Sequence, residues 1–185
     1  MSDIVIRDAQ PQEFDAIGAL TVAAFEAPRP EDRTPRKANP QRRRTLADAG
    51  ARARDGRLLV AVDTLTDRLI GTVALVHAGT PSAQFARDGE AEIRLLAVDP
   101  EHRGRGIAYD LMQHAIAVAR EQDADAVVLD TGPRNLTAQR LYTRLGFERA
   151  PERETRASVA GGMLVVFTLP LTARNTLATL TSQRN

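Results

Sequence analysis

Glu92-Ile93-Arg94-Leu95-Leu96-Ala97-Val98-Asp99-Pro100 is followed, two residues later, by Arg103-Gly104-Arg105-Gly106-Ile107-Ala108. The first stretch reads as a strand beginning near Glu90 and stopped by Asp99-Pro100. The second reads as a glycine-rich turn that opens a helix. Apolar residues then fall at 107, 108, 111, 112, 115, 116 and 119, the 3–4 spacing of a helix that buries one stripe. Ala126 to Leu129 is continuously apolar, as strands buried on both faces are. Strand, helix and strand make a crossover unit, which predicts that the two strands are parallel.

The turn between them has chemistry of its own. The first turn of a helix carries N–H groups without intrahelical partners, and the helix dipole favours anions at that end. Gly104 and Gly106 let an anion approach the backbone closely, and Arg103 and Arg105 add charge-assisted donors. The local reading is a pyrophosphate cradle. A dinucleotide fingerprint needs a third glycine three residues after Gly106, where Tyr109 stands, and no Gly-Lys-Ser/Thr follows to make a P-loop.

Working outward, Ile4-Val5-Ile6 predicts a short strand, and Phe14, Ile17, Leu20, Val22 and Phe25 mark a helix after Pro11. Pro28, Pro30, Pro35 and Pro40 assign 27–41 to a loop, and a polar helix is expected over 41–54. Leu58–Val62 and Leu69–His77 form a hairpin, and Gly79–Gly89 is a polar loop. A helix over 135–145 takes Asn135 as N-cap and Gly146 just past its end. Met163–Leu169 is the last strand. These elements predict one domain over residues 1–170, with a polar, Thr-rich tail over 171–185.

Composition excludes several classes. The 185 residues include no cysteine, so disulfides, thiolate metal sites and a cysteine nucleophile are ruled out together. His77, His102 and His114 are scattered, and no metal is expected. The N-terminus lacks the basic and apolar regions of a secretory signal. The longest apolar runs fall far short of the ~18 residues of a membrane span, so a cytoplasmic protein is expected. Net charge is +1, which gives no global pull toward nucleic acid. Residues 29–57 nevertheless hold ten basic and four acidic side chains. The bland reading of that segment is a solvated face. An anionic acceptor is a sharper alternative, whereas nucleic-acid binding lacks aromatic residues there for stacking.

From Glu92 to Phe147 the chain resembles the GNAT superfamily of N-acetyltransferases. Arg103–Ala108 is similar to that family's Arg/Gln-x-x-Gly-x-Gly/Ala loop. Asn135, Ala138, Leu141-Tyr142 and Gly146-Phe147 resemble its second signature. Ala108 stands where glycine is commoner, a variation the family pattern allows. The resemblance implies an α/β fold: a mixed, mostly antiparallel sheet of six or seven strands, splayed in the middle, with about four helices. It also implies that acetyl-CoA is the cosubstrate. Arg103, Gly104, Arg105, Gly106, Ile107 and Ala108 would hold its pyrophosphate, the backbone of Leu96, Ala97 and Val98 its pantetheine arm, and Asn135, Ala138 and Tyr142 would contribute from the second helix.

The implied reaction is acetyl transfer to a primary amine by direct attack in a ternary complex. An ammonium of pKa ~10.4 must first lose a proton. Glu92 is the candidate base, directly or through water, with Glu90 and an ordered water as rivals. Tyr142 is the candidate acid for the departing thiolate; its bland reading is packing beside Leu141 and Leu145. The competing function is a non-catalytic acyl-CoA sensor or interaction module. The protein is expected as a monomer or homodimer whose partners are acetyl-CoA and an amine acceptor, with no membrane.

Overall fold

The computed structural model describes residues 3–29, 37–158 and 162–171. Residues 30–36 of the 27–41 loop and all of the tail beyond 171 lie outside them. The elements are β1 (Ile4–Asp8), α1 (Phe14–Glu26), α2 (Pro40–Ala47), α3 (Ala49–Asp55), β2 (Gly56–Asp63), β3 (Arg68–His77), β4 (Glu90–Val98), α4 (Ile107–Glu121), β5 (Ala126–Thr131), α5 (Leu136–Arg144), β6 (Glu148–Arg149) and β7 (Val165–Pro170). One seven-stranded sheet has the order β1-β2-β3-β4-β5-β7-β6. The only parallel pair in it is β4 with β5, as the crossover through α4 requires; the others are antiparallel.

Two features differ from the sequence reading. The polar helix expected over 41–54 is two helices. The chain turns out of helical geometry at Asp48 (φ −78°, ψ 75°), whose carboxylate then accepts the Ala51 N–H at 2.8 Å and caps α3. The break is sealed by Arg52, only 3% exposed. Its guanidinium donates to the Thr45, Leu46 and Asp48 carbonyls at 3.1–3.3 Å, the free carbonyls at the end of α2. Burial lowers the Arg52 pKa to about 10, against the charge of Asp48. The second difference is β6, two residues too short to leave a pattern in sequence.

The core has two sides, set by the alternation of strand residues. On one face Leu59, Val73, Leu75, Ile93, Val127, Leu129 and Phe167 meet α4 and α5 through Leu111, Met112, Ile116 and Tyr142. The stripe read from the spacing of α4 is the one buried: Ile107, Leu111, Met112, Ala115, Ile116 and Ala119 are all at most 2% exposed. Each large aliphatic among them contributes about 1.5–3 kcal/mol. On the other face, Leu58, Val60, Ala74 and Val76 lie under Ile17 of α1 and Ala49 of α3. Val128 and Val166 pack there against Phe85 and Ala150.

Among the described residues no helix is long and apolar enough to cross a membrane. Among the same residues no group of three metal-ligating side chains could hold an ion.

Candidate active site

The sheet opens between its two parallel strands. The β4–β5 ladder runs from Glu90↔Ala126 to Ile93↔Leu129 and stops there. Beyond it β5 stays with β7 through Asp130 and Thr131, while β4 stays with β3 through Ala97↔Thr72 and Val98↔Gly71. The cause is a β-bulge in β4. Two residues, Leu95 and Leu96, separate its paired positions Arg94 and Ala97, whereas only Val73 separates their partners on β3. Leu95 has φ 51°, a left-handed conformation that bends the strand away from its neighbour. One edge of Leu96–Val98 therefore faces an opening instead of a strand.

The 103–106 turn lies just past that opening. Gly104 and Gly106 have φ of 81° and 82°, values that favour glycine. A Cβ at either would meet nothing within 4 Å, so the space above them is open to a ligand and the protein does not fill it. Gly106 is the N-cap of α4 and supplies no side chain to cap it. The first helical bond closes from Asp110 N–H to Gly106 O at 3.1 Å, which leaves the amides of the first turn aimed outward. The Arg103 side chain has a different task from the one its sequence position suggests. It donates to the Pro28 and Ala24 carbonyls at 2.7 and 2.8 Å, tying the turn to the end of α1. Arg105 is exposed and lies 3.7 Å from Asp63.

The second signature lies on α5. Asn135 caps the helix, its oxygen accepting the Ala138 N–H at 3.4 Å, while its amide donates to Thr131 Oγ1 at 3.0 Å. Tyr142 is buried, with ring centroids 6.2 Å from Phe147 and 5.7 Å from Phe167. The packing expected of it is thus real: its ring meets two phenylalanines in the cluster that Leu141 and Leu145 also pack against. Burial raises the Tyr142 phenol well above its ordinary value; the Asp130 charge adds to this and Arg29 opposes it. The hydroxyl stays protonated, and among the described residues nothing hydrogen-bonds to it.

Glu92 is fully buried. One carboxylate oxygen accepts three backbone N–H groups, from Gln84, Phe85 and Ala86, at 2.7–2.9 Å. The other accepts from Arg94 at 3.1 Å. Both oxygens are thereby committed to holding the loop that precedes β4. Glu90 is committed too: Arg153 donates to it at 2.6 and 2.9 Å and the Arg87 N–H at 2.9 Å. Burial works against ionising Glu90, and these donors outweigh it, so its pKa is lowered.

A carboxylate that the sequence reading passed over occupies the opening itself. Arg94 and Asp130 are the first residues beyond the last β4–β5 pair, and Arg94 Nη1 donates to Asp130 Oδ1 at 2.6 Å across the gap. Burial pushes the Asp130 carboxyl above its ordinary value. The charge of Arg94 opposes that, the charge of Glu92 adds to it, and Arg42 and Arg156 pull it down. The only signal in sequence is a carboxylate ending an otherwise apolar strand. Alternation puts Asp130 on the α1 face and Tyr142 belongs to the α5 face, so the two lie on opposite sides of the sheet.

A sheet splayed beyond a bulge, with an uncapped helix N-terminus beside it, has the form of a site for an extended, phosphate-bearing ligand. The chain belongs to the Acetyltransferase (GNAT) family, whose profile matches residues 15–147. It is similar to human N-acetyltransferase 8B, 37% identical over 83 residues, 45% of this chain and 35% of that protein. N-alpha-acetyltransferase 30 of Schizosaccharomyces pombe is 39% identical over 93 residues, 49% of this chain and 56% of that protein. The matches thus span about a third to a half of these relatives. In fold the chain resembles Salmonella typhimurium yncA, solved with its cofactor acetyl-CoA, at a TM-score of 0.65 and 20% identity, with 96% of this chain and 99% of that one covered.

Proposed function

We propose that this protein transfers an acetyl group from acetyl-CoA to a primary amine, with Tyr142 and Asp130 acting from opposite sides of the opening between β4 and β5. The observation that carries the reading is the opening itself: an unpaired strand edge at Leu96–Val98 that leads to an uncapped helix N-terminus. The residues fit acetyl-CoA as cosubstrate. Amides from Arg103 to Ala108 take the pyrophosphate, and the free edge of Leu96, Ala97 and Val98 pairs with the amide-bearing pantetheine arm. Asn135 and Ala138 line the α5 side. Arg103 serves through its backbone, because its side chain is spent on α1.

The acceptor reaches the opening from the α1 face. Its ammonium gives a proton to Asp130, directly or through water, and the amine nitrogen attacks the thioester carbonyl carbon. A backbone N–H near Leu96 or Ala97 steadies the developing oxyanion. As the C–S bond breaks, the thiolate takes the Tyr142 proton, and the tyrosine is reprotonated as the second nitrogen proton is released. The products are an acetamide, free CoA thiol and one proton. A carboxylate with a raised pKa retains a proton better than an ordinary one, which suits a base. Glu92 is better suited to holding the 84–86 loop and orienting Arg94, because both of its oxygens are occupied.

The test is release of free thiol from acetyl-CoA in the presence of amines, peptides with free N-termini and aminoglycosides. Release that depends on an acceptor supports the enzyme. Saturable acetyl-CoA binding without such release would favour a sensor.

A further inference from the structure

We propose that the acceptor carries an anion, a carboxylate or a phosphate, a few bonds from its amine, and that Arg42 and Arg156 bind that anion while Asp130 receives the amine. This rests on the acetyltransferase reading and names the substrate class for the same site.

Three consecutive arginines begin the argument. Arg43 lies 3.7 Å from Glu26 and Arg44 donates to Gln41 at 2.9 Å. Arg42 differs from both. Its guanidinium lies over the Phe25 ring, 5.7 Å from the centroid, and among the described residues it donates no hydrogen bond and makes no ion pair. Burial and the nearby positive charge of Arg94 both disfavour its charged form, and only Asp130 offsets them. A half-buried guanidinium without a carboxylate of its own is costly to hold, and stacking on an aromatic ring repays only part of that.

Among the described residues the charges around the opening do not balance. Glu92 and Asp130 are the two carboxylates, and Arg94 bonds to both. Arg42 and Arg156 also act on Asp130, and the exposed Arg156 side chain has no partner of its own among the described residues. Two guanidiniums are therefore left over, one from the α2 side and one from the segment before β7. The charges of both act on the carboxylate proposed to take the amine's proton. A guanidinium forks onto carboxylate or phosphate oxygens with two parallel donors. An acceptor with an ammonium at one end and an anion at the other would neutralise Asp130 and this surplus together, and its anion would set the angle at which the amine meets the thioester.

The experiment compares acceptors of one carbon framework: an α-amino acid, its uncharged amide, and the corresponding aminoalkyl phosphate and neutral amine. Each is assayed by acceptor-dependent thiol release with the wild type, Arg42→Gln and Arg156→Gln. The expected result is kcat/KM about 10- to 100-fold higher for an anionic acceptor than for its neutral counterpart. Arg42→Gln should remove most of that advantage, raising the KM of anionic acceptors far more than that of neutral amines while the KM for acetyl-CoA is kept. The carboxylate and phosphate arms decide which anion fits. Neutral acceptors turned over as well as anionic ones would overturn the proposal, as would equal losses for both in Arg42→Gln. If no amine is turned over, the acetyltransferase reading fails separately. Calorimetric binding of the amino acid and the aminoalkyl phosphate to the CoA-loaded protein then decides: binding lost in Arg42→Gln upholds the anion site, and no binding sinks it.

Discussion

Arg94 and Asp130 hold each other at 2.6 Å across the point where β4 and β5 part. Each is the residue after its strand's last parallel pair, so the bond marks the apex of the opening. It also fixes a carboxylate at the opening, where the proposed reaction needs an amine to lose a proton. Because Arg94 is shared with Glu92, the apex is fixed to the loop before β4 through three more hydrogen bonds.

Asp130→Asn should lower kcat by about 10²- to 10⁴-fold, the usual weight of a general base, with acetyl-CoA affinity kept. In the wild type, kcat/KM should rise with pH through a raised carboxyl pKa, above the ordinary 3.8, and the variant should lack that limb. Stability should move the other way. A carboxyl whose folded pKa is raised favours the fold when protonated, and that stability falls as pH rises from the unfolded pKa through the folded one. Asn stays neutral, so the variant should melt higher than the wild type at pH 7, and the gap should close below about pH 3.8. Equal melting temperatures at pH 7 would speak against the burial argument.

Tyr142→Phe should lower kcat about 100-fold while calorimetry finds acetyl-CoA binding nearly unchanged. The ring still packs on Phe147 and Phe167, so the fold should be kept. Undiminished turnover would remove the hydroxyl from the chemistry.

Glu92→Gln should act on folding before chemistry. Removing one partner of a buried, multiply bonded charge costs about 3–5 kcal/mol, read by urea denaturation. The fraction that stays folded should keep most of its kcat. A large kcat loss with unchanged stability would return Glu92 to the role of base.

The parts of the fold carried by local pattern were legible: the β4 strand, the stripe of α4, the apolar β5 run and the Asn135 and Gly146 limits of α5. What was illegible depends on which residues meet in space. Glu92 and Asp130 are both strand carboxylates, and nothing local shows that the amides of Gln84, Phe85 and Ala86 converge on the first and leave the second at an opening. Arg103 reads as a phosphate donor from its place in the turn, yet the end of α1 claims it from 75 residues away along the chain. The break at Asp48 hides because a capping aspartate between two polar helices resembles any helix-surface residue. Arg42 sits in a run of three arginines, and only packing on Phe25 separates it from its neighbours.

Gly106→Glu should fold, because a Cβ there meets nothing and the left-handed backbone costs about 1–2 kcal/mol. Acetyl-CoA binding should nonetheless be lost, since a carboxylate would meet the pyrophosphate. Retained affinity by calorimetry would displace the cradle from this turn.

The central claim is that the thioester lies at the apex, between Tyr142 and Asp130. A crystal structure of the protein with acetyl-CoA measures this directly. The account predicts the pantetheine arm paired along Leu96–Val98 and the thioester sulfur within hydrogen-bond reach of the Tyr142 hydroxyl. A thioester resting outside the opening, with Leu96–Val98 unpaired and Tyr142 out of reach, would contradict it.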